Sequence, residues 1–463
     1  MKKNDQRDKI NIHAFPNGFR VIHQKPTSDL PISSIHTFCN VGSAFETDTV
    51  RGISHFIEHL CFKGTKKIVD TRRDIFMMYD TYGAEFNAYT EKHVTCYTMK
   101  CPDHFVNRSL QIVGDMLTHS TIPQIQFDRE QKVVVEENIK NENNPDITLS
   151  DKTNSVFFNG SSYQYPVDSI KFHQKEDTLK RKDAIEWYQY FYQPKNFTMS
   201  VVSNISFEKI KEFLQTTDFT KMNPSLPPPL PKTALAYPNT AILPNKTPGV
   251  QYLRIPKKGI QTNMIEIGFR ICNGLSNDRY IFKVVKAVLN GRSGRLVVLL
   301  RETHGLVYSS SSDTEYYENA GSFSISTETD PNKLIRFQGK KGVLPLIFEL
   351  YADLIKHGIT QEELTVAKGY LKGSILMSLE DSENLCNYNG EKMIIGGDTR
   401  EIVPYSQIYE RFIDKITRKD VNDCIRRYFV PENMVVGILG ETLPSEQQLK
   451  KCVMQVFTHS ESV

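Results

Sequence analysis

The sequence predicts an α+β fold built from two structurally similar modules, each with an antiparallel-rich sheet and helices on one side. Three observations lead to this prediction. The chain has 463 residues, which is too long for one ordinary domain. A proline-rich stretch divides it almost equally, and the two halves repeat a similar pattern of strands and helices.

The proline-rich stretch covers residues 221–250 and reads KMNPSLPPPLPKTALAYPNTAILPNKTPGV. Proline at this density interrupts helices and strand pairing and favours an extended spacer. We therefore predict a catalytic zinc-binding module over residues 1–220, a linker over 221–250 and a degenerate, metal-free module over 251–463.

The two halves resemble each other at several points. The segment YFYQPKNFTM, which contains Asn196, resembles RYFVPENMVV, which contains Asn433, 237 residues further on. The segment IHTFCNVGSAF from Ile35 resembles IGFRICNGLSND from Ile267, and a helix pattern follows each of them. Each half therefore reads as a strand, a helix, a hairpin of strands, two or three helices and a closing strand.

Charge and composition exclude several classes of partner. The chain carries 57 Lys and Arg against 54 Asp and Glu, so we expect no nucleic-acid partner. It contains no run of 18 apolar residues, so we expect no membrane span. The first residues, MKKNDQRDKINIHAF, lack an apolar segment and favour a cytoplasmic protein, with a mitochondrial one left open.

The eight cysteines are scattered and are expected to be reduced and buried.

The strongest chemical signal is H-x-x-E-H at His55, Glu58 and His59. On a helix predicted over 53–63 the two histidines stand one turn apart, about 6 Å between Cβ atoms, which suits Zn²⁺. Glu58 borders the same face and can take a proton from an attacking water and pass it to a leaving amine. The pattern is the inverted zinc-protease motif. Cys61 points about 200° away from His59 and is set aside as a ligand.

A third ligand is expected on the charged helix that contains REQKVVVEENIK. Glu130, Val133, Val134 and Glu137 fall on one stripe of that helix. Two glutamates on a stripe with valines would be costly if buried without a partner, and a cation removes that cost. We predict Glu137 as the ligand and Glu130 as a supporting acid, since Glu136 lies about 100° off the stripe. The alternative is a solvated charged helix.

The second half lacks every one of these polar residues. Alignment with offsets of 227 and 237 pairs the two histidines and three glutamates with Phe282, Lys286, Val285, Ala367 and Ser374. Residues that only pack would be similar in both copies. The difference indicates a function confined to the first module, and we expect one Zn²⁺ per chain.

The H-x-x-E-H helix, the FKGT that follows it and the glutamate pair together resemble the pitrilysin family of zinc peptidases. The likeness covers nearly the whole chain and includes FPNGFRVIH and GAEFNAYTEKHVTCYTMKC. It implies a zinc metalloendopeptidase that cleaves peptides or extended, unfolded protein segments. It also implies that Glu58 is the general base and that Glu137 is the second residue of the family's glutamate pair.

The resemblance implies two substrate-binding elements as well. In the family the strand that contains Asn87, Ala88 and Tyr89 lies at a sheet edge and pairs with the substrate backbone. An Arg–Tyr pair, here Arg301 and Tyr308 in RETHGLVYSSSS, holds the substrate carbonyl and stabilises the oxyanion.

The resemblance also bears on assembly. Half-length members of the family act in pairs, so we expect a homodimer, with a heterodimer left open. The alternative function is a non-catalytic or heterodimer-dependent subunit of a processing-peptidase-like complex. Non-catalytic members of the family usually lose part of the metal motif. All four of its residues are present here, namely His55, Glu58, His59 and Glu137. An active zinc endopeptidase is therefore predicted.

Overall fold

The computed structural model describes residues 7–68, 70, 72–168, 179–222, 229–235, 238, 249–396 and 401–457. They belong to two compact units. The first unit comprises Met1–Lys140, Tyr165–Asn239 and Ile375–Gln407, and the second comprises Asn141–Gln164, Thr240–Ser374 and Ile408–Val463. Each unit thus contains a segment from the other half of the chain. Most of the stretch 221–250 lies outside the described residues, and the proposed module boundaries stay a prediction.

The strands described in the first unit form a six-stranded sheet in the order β1-β2-β6-β3-β5-β4. All neighbours pair antiparallel except β2 and β6, which are parallel. The strands are β1 (Asn11–Ala14), β2 (Arg20–Gln24), β3 (Ile32–Cys39), β4 (Glu85–Thr90), β5 (Thr95–Pro102) and β6 (Phe197–Val202). The helices are α1 (Ile53–Cys61), α2 (Met77–Tyr82), α3 (Val106–His119), α4 (Gln124–Asn143, ending in the second unit), α6 (Arg181–Phe191), α7 (Phe207–Gln215), α8 (Asp218–Lys221) and α13 (Ser382–Gly396).

The second unit repeats this arrangement with a five-stranded sheet in the order β7-β13-β8-β10-β9, in which β7 and β13 are parallel. Its strands are β7 (Gln251–Pro256), β8 (Asn263–Ile271), β9 (Ser310–Tyr316), β10 (Gly321–Thr329) and β13 (Met434–Gly440), with a separate pair β11 (Arg336–Phe337) and β12 (Lys340–Lys341). Its helices are α5 (Pro145–Phe157), α9 (Asp278–Leu289), α10 (Arg295–Val297), α11 (Val343–Lys356), α12 (Gln361–Ser378, ending in the first unit), α14 (Arg418–Tyr428) and α15 (Glu446–Phe457). The predicted α+β fold with two similar modules is confirmed.

The core of the first unit lies between its sheet and helices α1, α3 and α6. Alternation along β3 turns Ile35 and Cys39 towards this core, where they join the buried Phe56 of α1 and Trp187 of α6. All eight cysteines are buried and unpaired. Among the described helices, none is both long enough and apolar enough to cross a membrane.

The same alternation gives the first sheet a second apolar face. Phe38 and Val202 point away from the main core and are covered by α13, which brings Ile394 to Phe38 and brings Leu385 and Cys386 to Val202. A Cβ on Gly390 of α13 would overlap the Phe38 ring, so glycine allows this close approach. The sheet is therefore complete only when a segment from late in the chain is in place.

Candidate metal centre

Helix α1 begins at a buried acid that fixes its first turn. Gly52 precedes the helix with φ 87°, a left-handed conformation that glycine adopts without strain. The Glu46 carboxylate accepts hydrogen bonds from the backbone N–H of Gly52 at 2.7 Å and of Ser54 at 2.9 Å. Burial raises the pKa of Glu46 to about 7, although these two hydrogen bonds act in the opposite direction. Glu46 thereby positions the turn that carries His55.

The two histidines of α1 face each other. Their Nε2 atoms lie 3.2 Å apart. The Nδ1 atom of His55 lies 3.2 Å from a carboxylate oxygen of Asp168, and that of His59 lies 3.3 Å from Glu130. In the tautomers with protons on Nδ1, the carboxylates face these protons and both Nε2 lone pairs turn towards the same space. Two such lone pairs repel each other unless a proton or a cation lies between them.

Glu137 supplies a third ligand atom at the same place. Its Oε2 lies 3.6 Å from Nε2 of His59 and 3.9 Å from Nε2 of His55. Ligand atoms of a tetrahedral zinc ion with bonds of 2.0–2.1 Å are about 3.3 Å apart, which is close to the separations of 3.2 and 3.6 Å and somewhat shorter than that of 3.9 Å. Two imidazole nitrogens and one carboxylate oxygen form a donor set typical of catalytic zinc. The residues present therefore fit the metal that the sequence predicts.

Helix α4 presents a slightly different face from the one predicted. Val133 is 49% exposed, so the expected stripe is wrong at this position. Glu137 lies at the border of the buried face, with its side chain 42% exposed, and Glu136 is exposed. The reason is the helical period. Residues three and four positions apart lie on the same face, so about one residue in each turn of α4 faces the core. The buried residues are Phe127, Glu130, Val134 and Asn138.

Burial and nearby charges shift the acids and bases of the site. Burial raises the pKa of Glu58, although a hydrogen bond from the Thr90 hydroxyl to its Oε2 at 2.7 Å opposes the shift. Burial lowers the pKa of His59, but the hydrogen bond to Glu130 and the surrounding carboxylates outweigh burial and raise it. Burial raises the pKa of Glu130, but its contacts with His59 and Lys63 outweigh burial and lower it. The pKa of Glu130 is thus lowered and that of Glu58 is raised, so Glu130 is the stronger acid of the two.

Three residues that contact the site were not identified from the sequence. Lys63 binds Glu130 with 2.9 Å between Nζ and Oε1, Thr90 binds Glu58, and Asp168 lies beside His55. Lys63 is one helical turn beyond His59, so the spacing could have suggested it. Asp168 lies far along the chain from His55, and nothing in the local pattern marks it.

The predicted substrate strand lies at an edge of the first sheet. Asn87, Ala88 and Tyr89 belong to β4, the last strand in the order. The Asn87 side chain accepts a hydrogen bond from the backbone N–H of Ala88 at 2.9 Å, and the Tyr89 hydroxyl donates to Asn387 at 2.7 Å. Thr90, which binds Glu58, ends the same strand.

The predicted Arg–Tyr pair belongs to the second unit. Arg301 lies in a π-helical turn (Val298–Thr303), and its guanidinium carbon is 5.7 Å from the centre of the Tyr308 ring. Tyr308 is 87% exposed, and Arg301 is also exposed. The structure brings these two side chains to each other and leaves both accessible.

Comparisons with known proteins find matching family models and similar chains. The family model described as Insulinase (Peptidase family M16) matches residues 21–168, and the one described as Peptidase M16 inactive domain matches residues 178–371. The uncharacterized zinc protease YmxG of Bacillus subtilis is 31% identical over 430 residues, which cover 91% of this chain and 96% of that protein.

Solved structures share the fold over almost the whole chain. A protease from Helicobacter pylori has a TM-score of 0.81 at 21% identity, covering 94% of this chain and 99% of that one. A peptidase M16 inactive domain from Pseudomonas fluorescens has a TM-score of 0.77 at 17% identity, covering 95% and 99%. The two family models and the match to YmxG show that the chain belongs to peptidase family M16, the pitrilysin family.

Proposed function

We propose that this protein is a zinc metalloendopeptidase that cleaves peptides or extended, unfolded protein segments. The observation that carries the proposal is the convergence of His55, His59 and Glu137 next to the buried carboxyl group of Glu58. The three ligand atoms lie within 4.8 Å of one another. Membership of a family with relatives named zinc proteases supports the same activity.

In the proposed reaction Glu58 moves the proton. Zinc, when bound, polarises the scissile carbonyl and makes water more acidic. Glu58 takes the proton of the attacking water and returns it to the nitrogen of the leaving amine. Its raised pKa suits this role, because a general base works best when its pKa lies near the working pH. The Thr90 hydroxyl orients the carboxylate through its hydrogen bond to Oε2.

The acids around the histidines hold the rings in position. Glu130 and Asp168 face the Nδ1 atoms and so direct the Nε2 atoms towards the metal. Lys63 neutralises Glu130 and keeps it ionised. We assign to these three residues the orientation of the ligands rather than a contact with the substrate.

Strand β4 is proposed to bind the substrate as an added strand. A sheet edge offers backbone N–H and C=O groups, so Asn87, Ala88 and Tyr89 would hold an extended backbone with little dependence on side chains. We assign binding of the substrate carbonyl to Arg301 and Tyr308, whose exposure leaves them free to contact a ligand. Folded proteins, which expose few extended segments, would be poor substrates.

The base is tested with Glu58→Gln. Cleavage of a mixed peptide library should fall about 10²–10⁴-fold, the usual contribution of a general base. Zinc per chain, measured by mass spectrometry of the metal, should stay at the wild-type value. Unchanged cleavage would remove Glu58 from the mechanism.

The ligand assignment is tested by a matched pair on α4. Glu137→Gln should release zinc, whereas Glu136→Gln, one position along the same helix and exposed, should retain it. The reverse result would transfer the ligand role to Glu136. Zinc content and cleavage are measured on the same samples, so that loss of metal and loss of base remain separate.

A second candidate function is a non-catalytic or heterodimer-dependent subunit. It is favoured by one observation, the match of residues 178–371 to a domain described as inactive. The purified chain decides between the two when it is incubated alone with peptides and sized by light scattering. We expect a homodimer that cleaves. A chain that binds zinc but cleaves only after a second protein is added would establish the alternative.

A further inference from the structure

A second group of metal-ligating side chains lies on α3 and α8 in the first unit. Asp115 and His119 stand one turn apart at the end of α3, and Asp218 is the first residue of α8. Nδ1 of His119 lies 3.6 Å from Asp115 Oδ1 and 3.7 Å from Asp218 Oδ2. The three ligand atoms fall within 4.8 Å of one another.

A glycine allows the two helices to approach. A Cβ on Gly114 would lie 3.3 Å from Cβ of Thr217 and 3.5 Å from the backbone nitrogen of Asp218. A Cβ here would fit only if Thr217 moved by a few tenths of an ångström, so the two helices are in tight contact at this point. The close approach brings the Asp218 carboxylate to Asp115, although two like charges repel.

One oxygen of this cluster is buried without a hydrogen bond. The Asp115 side chain is only 6% exposed. Its Oδ2 accepts a hydrogen bond from the Thr65 hydroxyl, whereas its Oδ1 has no hydrogen-bond partner among the described residues. Asp115 and Asp218 line a cavity of about 310 Å³. Buried carboxylate oxygens normally accept a hydrogen bond or bind a cation. Oδ1 of Asp115, which faces a cavity and a histidine nitrogen, therefore has room for a further ligand.

Lys67 is the cation now nearest to the cluster. Its Nζ lies 2.7 Å from Asp218 and 3.5 Å from Asp115. The lysine side chain is 66% exposed and reaches in from solvent, so it can move away at little cost. One lysine charge leaves two carboxylates incompletely neutralised, and a divalent cation would neutralise both.

We propose that Asp115, His119 and Asp218 bind a second divalent metal ion of the zinc type. One imidazole nitrogen and two carboxylate oxygens are ligands that zinc accepts. The separations of 3.6 and 3.7 Å approach the value of about 3.3 Å for a tetrahedral zinc site. The Thr118 hydroxyl donates to the Gly114 carbonyl at 2.6 Å, so its oxygen accepts from the Nδ1–H of His119 at 2.9 Å. A metal ion bound at Nδ1 would replace this proton, because a histidine nitrogen must be deprotonated to act as a ligand.

The ion would fasten α8 to α3, and Lys67 is the counter-ion that it displaces. This role is structural and independent of the proposed peptidase activity. Three ligands from two helices leave room for water in the remaining position. The site would therefore bind zinc reversibly and raise the thermal stability of the first unit when occupied.

The test uses the full chain with His55→Ala and His59→Ala, which remove the other candidate zinc site. Calorimetric titration with Zn²⁺ should show one remaining site, and zinc should raise the melting temperature. Adding His119→Gln or Asp218→Asn should abolish both effects. Lys67→Met should tighten binding about fivefold, because a competing charge is removed. His104→Gln, an exposed histidine of the same unit, is the matched control.

Circular dichroism confirms that each variant is folded before titration, and Asp218→Asn is retained if His119→Gln does not fold. A folded double variant that binds no zinc overturns the proposal. Zinc binding of equal strength with and without Asp218→Asn overturns it as well, because the ion would then lie elsewhere.

Discussion

The two units share the order of five strands but use the first long helix after the turn differently. In the first unit α1 buries His55 and Glu58. In the second unit α9 buries Phe282 and Val285 at the positions aligned with them. The same architecture therefore accepts either a polar face or an apolar one on this helix.

The apolar face of α9 belongs to an aromatic cluster. The Phe282 ring centre lies 5.9 Å from Phe323, 5.7 Å from Tyr428 and 6.2 Å from Phe429. Such packing stabilises the unit through burial and ring contacts. The difference teaches that the proposed metal centre is an addition to a fold that forms without it in the second unit. The first unit forgoes apolar burial at His55 and Glu58 of α1 to hold the candidate site.

The largest effect on stability is expected in the second unit. Phe282→Ala should lower the free energy of unfolding by about 3–5 kcal/mol, because it opens a cavity in the aromatic cluster. His55→Ala in metal-free protein should lower the free energy of unfolding by less than about 2 kcal/mol. The substitution removes a buried polar group together with its packing volume, and the two effects oppose each other. Urea unfolding followed by circular dichroism measures both. Equal losses would contradict the view that this aligned position packs the core in α9 but serves the candidate site in α1.

The start of α1 should make the first unit sensitive to pH. Because the pKa of Glu46 is raised to about 7, folding favours its protonated form. Its contribution to stability is fully present below about pH 4.5 and is lost as pH rises through 7, a change on the order of 3 kcal/mol.

Glu46→Gln should remove this slope while shifting the stability at every pH, since glutamine replaces one acceptor with a donor. Urea midpoints of metal-free wild type and variant are compared between pH 4.5 and 8. Helix α9 begins differently, with Asn277 at its cap and Asp278 in its first turn. A parallel pH dependence in both proteins would show that another group titrates.

A smaller effect is expected from the acid behind His59. Glu130→Gln should weaken zinc binding by about 10–100-fold, or about 1.4–2.7 kcal/mol, as for other partners of metal-bound histidines. Competition with a chelator of known affinity gives the value, and Glu136→Gln is the control. The aligned position in the second half is Ala367, which cannot orient a ligand. A variant with wild-type affinity would remove Glu130 from this role.

The smallest effect is expected at the position aligned with His59. Lys286 pairs with the exposed Asp313 of β9, and such surface pairs contribute less than about 1 kcal/mol. Lys286→Met should therefore leave the urea midpoint almost unchanged and retain zinc. His59→Ala, its counterpart on α1, should lose zinc. A loss of zinc in Lys286→Met would mean that the two helices are not as distinct as proposed.

The local parts of the candidate site could be predicted from the sequence. His55, Glu58 and His59 lie on one helix, so the helical period alone places them together. To predict Glu137 as a ligand, one must predict which face of α4 is buried. The exposed Val133 shows that the sequence pattern misplaced part of that face. Asp168 could not be found, because its place depends on how distant segments fold together.

The fold shows the same division between local and distant order. The proline-rich stretch and the repeated segments predicted two similar modules, and the sheets have matching orders. The sequence did not predict that each unit contains a segment from the other half of the chain. Helix α13 has the pattern of an ordinary helix, and its residues do not indicate which sheet it covers. An apolar sheet face such as that of Phe38 and Val202 predicts that another element packs on it, but does not predict which element.

The cover supplied by α13 has a consequence for synthesis on the ribosome. The last strand of the first sheet ends at Val202, whereas α13 spans Ser382–Gly396. At about 5–20 residues per second, roughly 10–40 s of translation separate the two. During that interval the nascent sheet carries an open apolar face around Phe38, which makes it a target for chaperones. The chain thus completes its first unit only after most of the second has been translated, with the segment Ile408–Val463 of the second unit still to follow.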